Sequence, residues 1–312
     1  MPRPGTRRPA FVATTGGHLV QMSLMGPLVE PDRHEDALWI THRTPQSESM
    51  LAGRRVHFVP MVDARDWGAV LRRTPSVLAA LRRHGVDRVY STGAAVALTA
   101  LPLAPLVGAR PAFYESMARS TGPSVTGSLL ARLPWIPCYT HYPALADGRR
   151  WRFERSLLDT FDVGDAPEPE ISRIFVTLGT ARPWGFRRLV DRVLQIAPPG
   201  AHIVWQTGAT DVSDLDIDGR DVIPDAQFQE EIERADVVIS HSGCGTFIRC
   251  MEAGKVPVLV PRRAAHGEHV DDHQEQIAEV TAARGLSIMR EADELTLDDL
   301  RRAAARRAAV TV

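Results

Sequence analysis

The sequence predicts an α/β protein made of two doubly wound domains, each a parallel sheet with helices on both faces. Three observations carry this reading. Apolar runs of strand length recur along the 312 residues, each followed by a stretch whose apolar residues have helical spacing. Repeated strand-then-helix order closes most simply as a parallel sheet covered by its crossover helices. An acidic, proline-bearing and aperiodic segment, "FDVGDAPEPEISR" (161–173), interrupts the pattern midway. The length suits two cores of ordinary size, so the boundary is set there, with domains at 1–168 and 169–312.

Taken in order, the first domain offers strands at "AFVATT", "ALWITH", "VHFVP", "DRVYST" and "PAFYES", with a long helical stretch at "WGAVLRRTPSVLAALRRHG". The second offers "RIFVTLG", "HIVWQTG", "DVVISHS" and "VPVLVPR", separated by patterns such as "FRRLVDRVLQIA" and "DDHQEQIAEVTAARG". The longest apolar run, Ala94–Ala109, holds 16 residues and two prolines. It is short for a bilayer span and reads as a buried helix broken at Pro102 and Pro105, with membrane contact as the other reading.

Composition narrows the function classes. A hydrophobic share of 44% and a charged share of 24% are those of a soluble globular chain. A net charge of -1 gives no reason to expect a nucleic-acid partner. Residues 1–168 carry 20 basic and 15 acidic side chains, residues 169–312 carry 17 and 23. The positive first half suits an anionic acceptor or membrane face, or is plain solvated surface. Three cysteines without a CxxC pair indicate a reducing compartment. With no signal-peptide pattern at the start, the expectation is a cytoplasmic protein. Nothing in the sequence fixes an oligomeric state.

Chemistry concentrates where strands end. In "VATTGGHLVQM", Gly16 and Gly17 let backbone approach a ligand and His18 opens a helix, where it either transfers a proton or caps a turn. In "FVTLGTARPWGF", Gly179 and Thr180 close the first strand of the second domain. In "ADVVISHSGCGT", Ser242, Gly243, Gly245 and Thr246 lead into another helix. Two strand–glycine–helix turns in one domain can converge on a diphosphate. Neither is a Walker loop or a GxGxxG fingerprint. "RRAAHGEHVDDHQEQIA" gathers histidines, carboxylates and an amide. The zincin spacing fails because Val270 follows His269, and a polyhydroxyl ligand suits this mixture better than a metal. Cys244, at a helix start beside His241, reads as a nucleophile or as a small filler residue. "DGRRWRFERSLL", with cations beside Trp151 and Phe153, reads as an anionic-membrane contact or as an amphipathic helix packed inward.

In order and spacing, "RIFVTLGT", "ADVVISHSGCGT", "AGKVPVLVPRR" and "GEHVDDHQEQIA" resemble the donor domain of GT-B glycosyltransferases of the peptidoglycan N-acetylglucosaminyltransferase type. They are especially similar to the catalytic subunit of the two-subunit enzyme that adds the second N-acetylglucosamine to dolichol diphosphate. "ATTGGHLVQM", "VYSTGAAVA" and "FYESMARSTGPSVTG" resemble that enzyme's acceptor-side partner, so the chain looks like both subunits fused, as in bacterial exopolysaccharide glycosyltransferases. The likeness spans about residues 10–285.

The resemblance implies two Rossmann-like domains facing a cleft, with acceptor bound by the first and nucleotide sugar by the second. It implies inversion at the anomeric carbon, no metal, no cofactor beyond a UDP-sugar co-substrate, and a hydroxyl acceptor, lipid-linked in related enzymes at the inner membrane face. By position, Gly179, Thr180, Ser242, Gly243, Gly245 and Thr246 would surround the diphosphate. Asp272 and Gln274 would meet the donor sugar, and Gln227 and Phe228 the uracil. His18 would be the general base, with Glu115 as second candidate, and Gly16, Gly17, Ser116 and Arg119 would lie on the acceptor side. One departure stands out. Where relatives hold the ribose with Glu, this chain has Arg249, so either Glu252 substitutes or Arg249 meets a phosphate or an acidic sugar. A nucleotide-sugar 2-epimerase, a non-catalytic partner subunit and a cysteine hydrolase are the rival readings.

Overall fold

The computed structural model describes residues 7–63, 65–180, 182–269 and 273–311. The chain forms two compact units, Met1–Leu157 and Leu158–Val312.

Unit 1 contains strands β1 (Arg8–Val12), β2 (Leu38–His42), β3 (Arg55–Val59), β4 (Val86–Ser91), β5 (Arg110–Tyr114), β6 (Cys138–Tyr139) and β7 (Trp151–Arg152). They form one parallel sheet in the order β3-β2-β1-β4-β5-β6-β7. Helices α1 (Gly17–Val29), α2 (Pro45–Met50), α3 (Trp67–Arg83) and α4 (Val125–Leu130) connect them. Consecutive strands add outward from β1 on one side, then the chain crosses to β4 and adds outward on the other. The sheet therefore reverses between β1 and β4, the position where open α/β sheets hold ligands beyond their strand ends. One face of the sheet packs Val12, Ile40 and Val89 against α3 residues such as Val77 and Leu81. On the other, Phe11 packs edge-on to Trp39 at 5.0 Å.

Unit 2 repeats the design. Its strands are β8 (Phe161–Asp165), β9 (Arg173–Thr177), β10 (His202–Gln206), β11 (Gly219–Arg220), β12 (Val237–Ser240), β13 (Val258–Leu259), β14 (Ile288–Met289) and β15 (Arg306–Val310). Six form a parallel sheet, β11-β10-β9-β12-β13-β14, which reverses between β9 and β12. Its helices are α5 (Arg187–Ile196), α6 (Asp225–Arg234), α7 (Cys244–Glu252), α8 (His273–Ala283) and α9 (Leu297–Ala304). β12 reads as an unbroken apolar run because it is buried on both faces.

Three readings change. Phe161–Asp165 belongs to no linker: it pairs antiparallel with β15 at the far end of the chain, so the compact units divide earlier than residue 168. Its partner's remoteness hid it, because one short strand has no periodicity of its own. The apolar run 94–109 is two 3₁₀ segments, Ala95–Thr99 and Leu101–Val107, meeting at Ala100 rather than breaking at the prolines. Trp151 lies on the edge strand β7, not on an amphipathic helix, and packs edge-on to Phe113 at 6.2 Å.

Candidate functional site

In unit 2 the glycine turns stand at the sheet reversal. β9 ends at Thr177, and its turn holds buried Gly179 and exposed Thr180; β12 ends at Ser240 and continues through His241, Ser242 and Gly243 into α7. The His241 backbone N–H donates to the Thr177 carbonyl at 3.1 Å, and its Nδ1 lies 3.2 Å from the same oxygen. This fixes the imidazole between the two turns. A Cβ at Gly179 would sit 2.6 Å from His241 Nε2, and one at Gly243 would sit 2.7 Å from it. The two glycines therefore press on the same ring nitrogen, so both turns converge on one side of the sheet. Gly179 also has φ +77°, a backbone that side chains disfavour.

The helix start there is open. Gly243 caps α7 without any side-chain hydrogen bond, and the first turn holds no acidic residue. Helix-start N–H groups without side-chain acceptors, lacking a nearby carboxylate, favour an anion by about 0.3–1 kcal/mol and up to ~2 when partly buried. Ser242 adds a second sign. It is 1% exposed, its φ is +63°, and its hydroxyl has no hydrogen-bond partner. A buried polar group left without a partner, on a backbone with positive φ, is costly and has room for a hydrogen bond that the described residues do not supply. Gly245 and Thr246 follow in the first turn of α7.

Other predicted donor residues fall into different roles. Phe228 is inside α6, buried against Phe175 at 5.1 Å, and Gln227 is half-buried one position earlier. Arg249 is buried, ion-paired with Asp225 at the start of α6, and its guanidinium lies 5.4 Å from the Phe228 ring. The structure thus spends Arg249 on joining α7 to α6. Glu252 is exposed at the last position of α7, roughly 12 Å along the axis from Cys244. It is not brought to the turns. The carboxylate near Arg249 is Asp225, which no motif flagged. Gln274 is buried and accepts from the Arg262 backbone N–H at 3.3 Å and from its Nε at 3.2 Å. Asp272 lies outside the described residues. Cys244 is buried, and Lys255 donates to the Ala235 carbonyl at 2.6 Å, tying the end of α7 to the end of α6.

In unit 1 the sheet reversal holds His18. It is the second residue of α1, half-buried, with Nδ1 2.8 Å from the Thr92 carbonyl, while the Thr92 hydroxyl donates to the His18 carbonyl at 2.9 Å. A Cβ at Gly93 would lie 3.1 Å from the ring. Gly16 caps α1 without a side-chain bond, and its own N–H donates to Gln46 Oε1 at 2.6 Å; Gly17 begins the helix.

Glu115, expected as a second base, is buried and hydrogen-bonded within its own loop. It is 2% exposed, and its carboxylate accepts from the Ser116 N–H (2.9 Å), the Ser124 N–H (2.8 Å) and the Ser124 hydroxyl (3.0 Å). Burial pushes its carboxyl upward, against the pull of those bonds. It anchors the loop between β5 and α4. Ser116 is held from the other side by Gln21, whose Oε1 accepts the Met117 N–H at 2.9 Å and whose amide lies 3.3 Å from the Ser116 hydroxyl. Gln21 is one turn after His18 on the same helix face. Its sign in the sequence was a polar residue on the buried side of α1, amid "GGHLVQM". Arg119 is half-buried in the same loop.

Residues 173–305 match the glycosyltransferase family 28 C-terminal domain. Among solved structures, MurG of Acinetobacter baumannii is 19% identical with a TM-score of 0.55, over 95% of this chain and 89% of that one. The spinosyn forosaminyltransferase SpnP is 17% identical with a TM-score of 0.58, over 96% and 90%. A Streptomyces glycosyltransferase complexed with thymidine diphosphate is 18% identical with a TM-score of 0.54, over 96% and 95%.

The fold is GT-B.

Both units of this GT-B chain are Rossmann-like, and the domain match together with the fold supports a glycosyltransferase. Among the described residues, no helix is long and apolar enough to cross a membrane, and no three His, Cys, Asp or Glu side chains form a group that could hold a metal.

Proposed function

We propose that the protein is an inverting, metal-independent glycosyltransferase that moves a sugar from a nucleoside diphosphate sugar, with UDP as carrier, to a hydroxyl acceptor. Unit 2 takes the donor and unit 1 the acceptor. The observation that carries the reading is the convergence of the β9 and β12 turns on His241, beside an open α7 start and the partnerless Ser242 hydroxyl.

In the proposed reaction the acceptor oxygen bonds to the anomeric carbon as the bond from that carbon to the diphosphate breaks. The electron pair leaves with the diphosphate, which fixed N–H donors at the two turns stabilise without reorganising. The acceptor proton goes to His18. A proton on Nδ1, shared with the Thr92 carbonyl, makes Nε2 the basic nitrogen of the ring. Glu115 and Gln21 position the Ser116–Arg119 loop rather than carrying protons.

Calorimetry with UDP and thymidine diphosphate, followed by assays of the matching sugars with and without acceptor, tests the proposal. Binding of a nucleoside diphosphate, transfer only when acceptor is present, and full rate in chelator are expected. A sugar isomerised with no acceptor would identify an epimerase instead, and activity abolished by chelator and restored by a divalent ion would remove metal independence.

A lipid-linked acceptor at a membrane face is part of the proposal. Its support has moved from Trp151 to the second 3₁₀ segment. Leu103 and Leu106, one 3₁₀ turn apart, are exposed, and exposed Trp135 donates to the Pro102 carbonyl beside them at 3.2 Å. Co-sedimentation with anionic vesicles that survives Trp151→Ala but weakens in Leu106→Ser is expected.

A further inference from the structure

The loop that follows β13 runs along the carboxyl edge of the unit 2 sheet beside the β12 turn, with the Val260 N–H donating to the Ser240 carbonyl at 2.8 Å. It carries Arg262, 2% exposed and the largest fully buried side chain of the molecule among the described residues. One guanidinium nitrogen, Nε, reaches Gln274 Oε1; another, Nη1, is buried with no partner. The carboxylate that acts on this charge through space is Glu268, and burial still pushes the guanidinium down to about 10. Glu268 is already committed. Arg188 Nε and Nη2 hold its two oxygens at 2.8 and 3.1 Å, and the Arg263 N–H donates to it at 2.9 Å. Arg263 pairs with Glu275 and Glu291. Arg262 is thus a buried cation with one guanidinium nitrogen left unpaired among the described residues, an expensive arrangement unless a ligand completes it.

We propose that Arg262 receives a carboxylate of the donor sugar, so that the donor is a nucleoside diphosphate uronic acid. This rests on the reading of unit 2 as the donor site with Gln274 at the sugar. Arg262 shares the Gln274 carbonyl, which places its guanidinium with the sugar contacts, while the diphosphate belongs to the β9 and β12 turns. A neutral hexose hydroxyl could accept one hydrogen bond but would bring no charge to the guanidinium; a planar carboxylate matches the guanidinium fork in both shape and charge.

The test is calorimetry on the full chain with UDP and thymidine diphosphate, then with the glucuronic acid and glucose esters of whichever binds. The wild type is expected to bind the uronate donor ~10-fold to 100-fold more tightly than the hexose donor. Arg262→Met should erase that ratio while leaving affinity for the free nucleoside diphosphate unchanged, with Arg262→Lys restoring part of it. Equal wild-type affinities for the two donors overturn the inference, a result that needs no variant to fold. A loss in Arg262→Met that is as large for the free diphosphate as for the uronate donor puts the guanidinium on phosphate and also overturns it. If neither nucleoside diphosphate binds, the donor-site reading fails and takes this inference with it.

Discussion

His18 and His241 occupy equivalent places in two unrelated stretches of sequence. Each imidazole stands where its sheet reverses, each has Nδ1 against a carbonyl at the end of a neighbouring strand, and each is approached by glycine. The surroundings differ. His18 rides on α1, where a Cβ added at Gly93 would lie 3.1 Å from its ring, and the same helix grips a loop through Gln21. His241 precedes its helix and is clamped by Gly179 and Gly243 together. A side chain on the first turn of a helix is carried by a regular element. A side chain in a turn squeezed by two glycines becomes part of the wall. The proposed mechanism gives chemistry to His18 and shape to His241.

The largest expected effect separates those roles directly. His18→Ala should lower turnover ~10²–10⁴-fold, the usual range for loss of a general base, with nucleotide affinity unchanged by calorimetry. A mutant turning over at the wild-type rate would remove His18 from catalysis and level the comparison.

Next comes the clamp. Gly179→Ala forces a Cβ toward His241 Nε2 on a positive-φ backbone, at a cost of about 1–3 kcal/mol. Thermal melts should register that loss, and nucleotide affinity should fall with it. Unchanged binding would show that the turn tolerates displacement and is no cradle.

Gln21→Ala should cost about 1–3 kcal/mol by leaving the buried Met117 N–H without its acceptor. Acceptor KM should rise more than donor KM, since the loop is on unit 1. An equal rise in both would argue that α1 supports the whole fold rather than the acceptor side.

The smallest effect carries opposite signs. Ser242→Gly relieves a strained φ and removes a partnerless buried hydroxyl, so stability should hold or rise by a few tenths of a kcal/mol, while nucleoside diphosphate affinity drops by about 0.5–1.5 kcal/mol. A variant both more stable and equally tight would show that Ser242 touches no ligand.

Some of this was legible beforehand. The nine strands read from apolar runs match β1 to β5, β9, β10, β12 and β13, because each sits in a buried apolar run that announces itself without help. The glycine turns were visible for the same reason: they follow directly on those strands. The short strands β6, β7, β11 and β14 were not, since two paired residues outside a longer apolar run leave no pattern. Asp225, Gln21 and Arg262 carry no local signal, because what distinguishes them is a partner, present or missing, that only the folded chain supplies. Arg249 was legible as a departure, but its pairing with Asp225 was not.

By itself the sequence determined which local conformations this chain adopts and where its chemistry-bearing turns fall, since periodicity, glycine and helix starts act over a few residues. Only the tertiary structure decided which turns meet, which carboxylates are used up as anchors, and which buried guanidinium keeps a nitrogen unpaired among the described residues. Those outcomes depend on strand order and on contacts between residues far apart in the chain, and no local pattern records them.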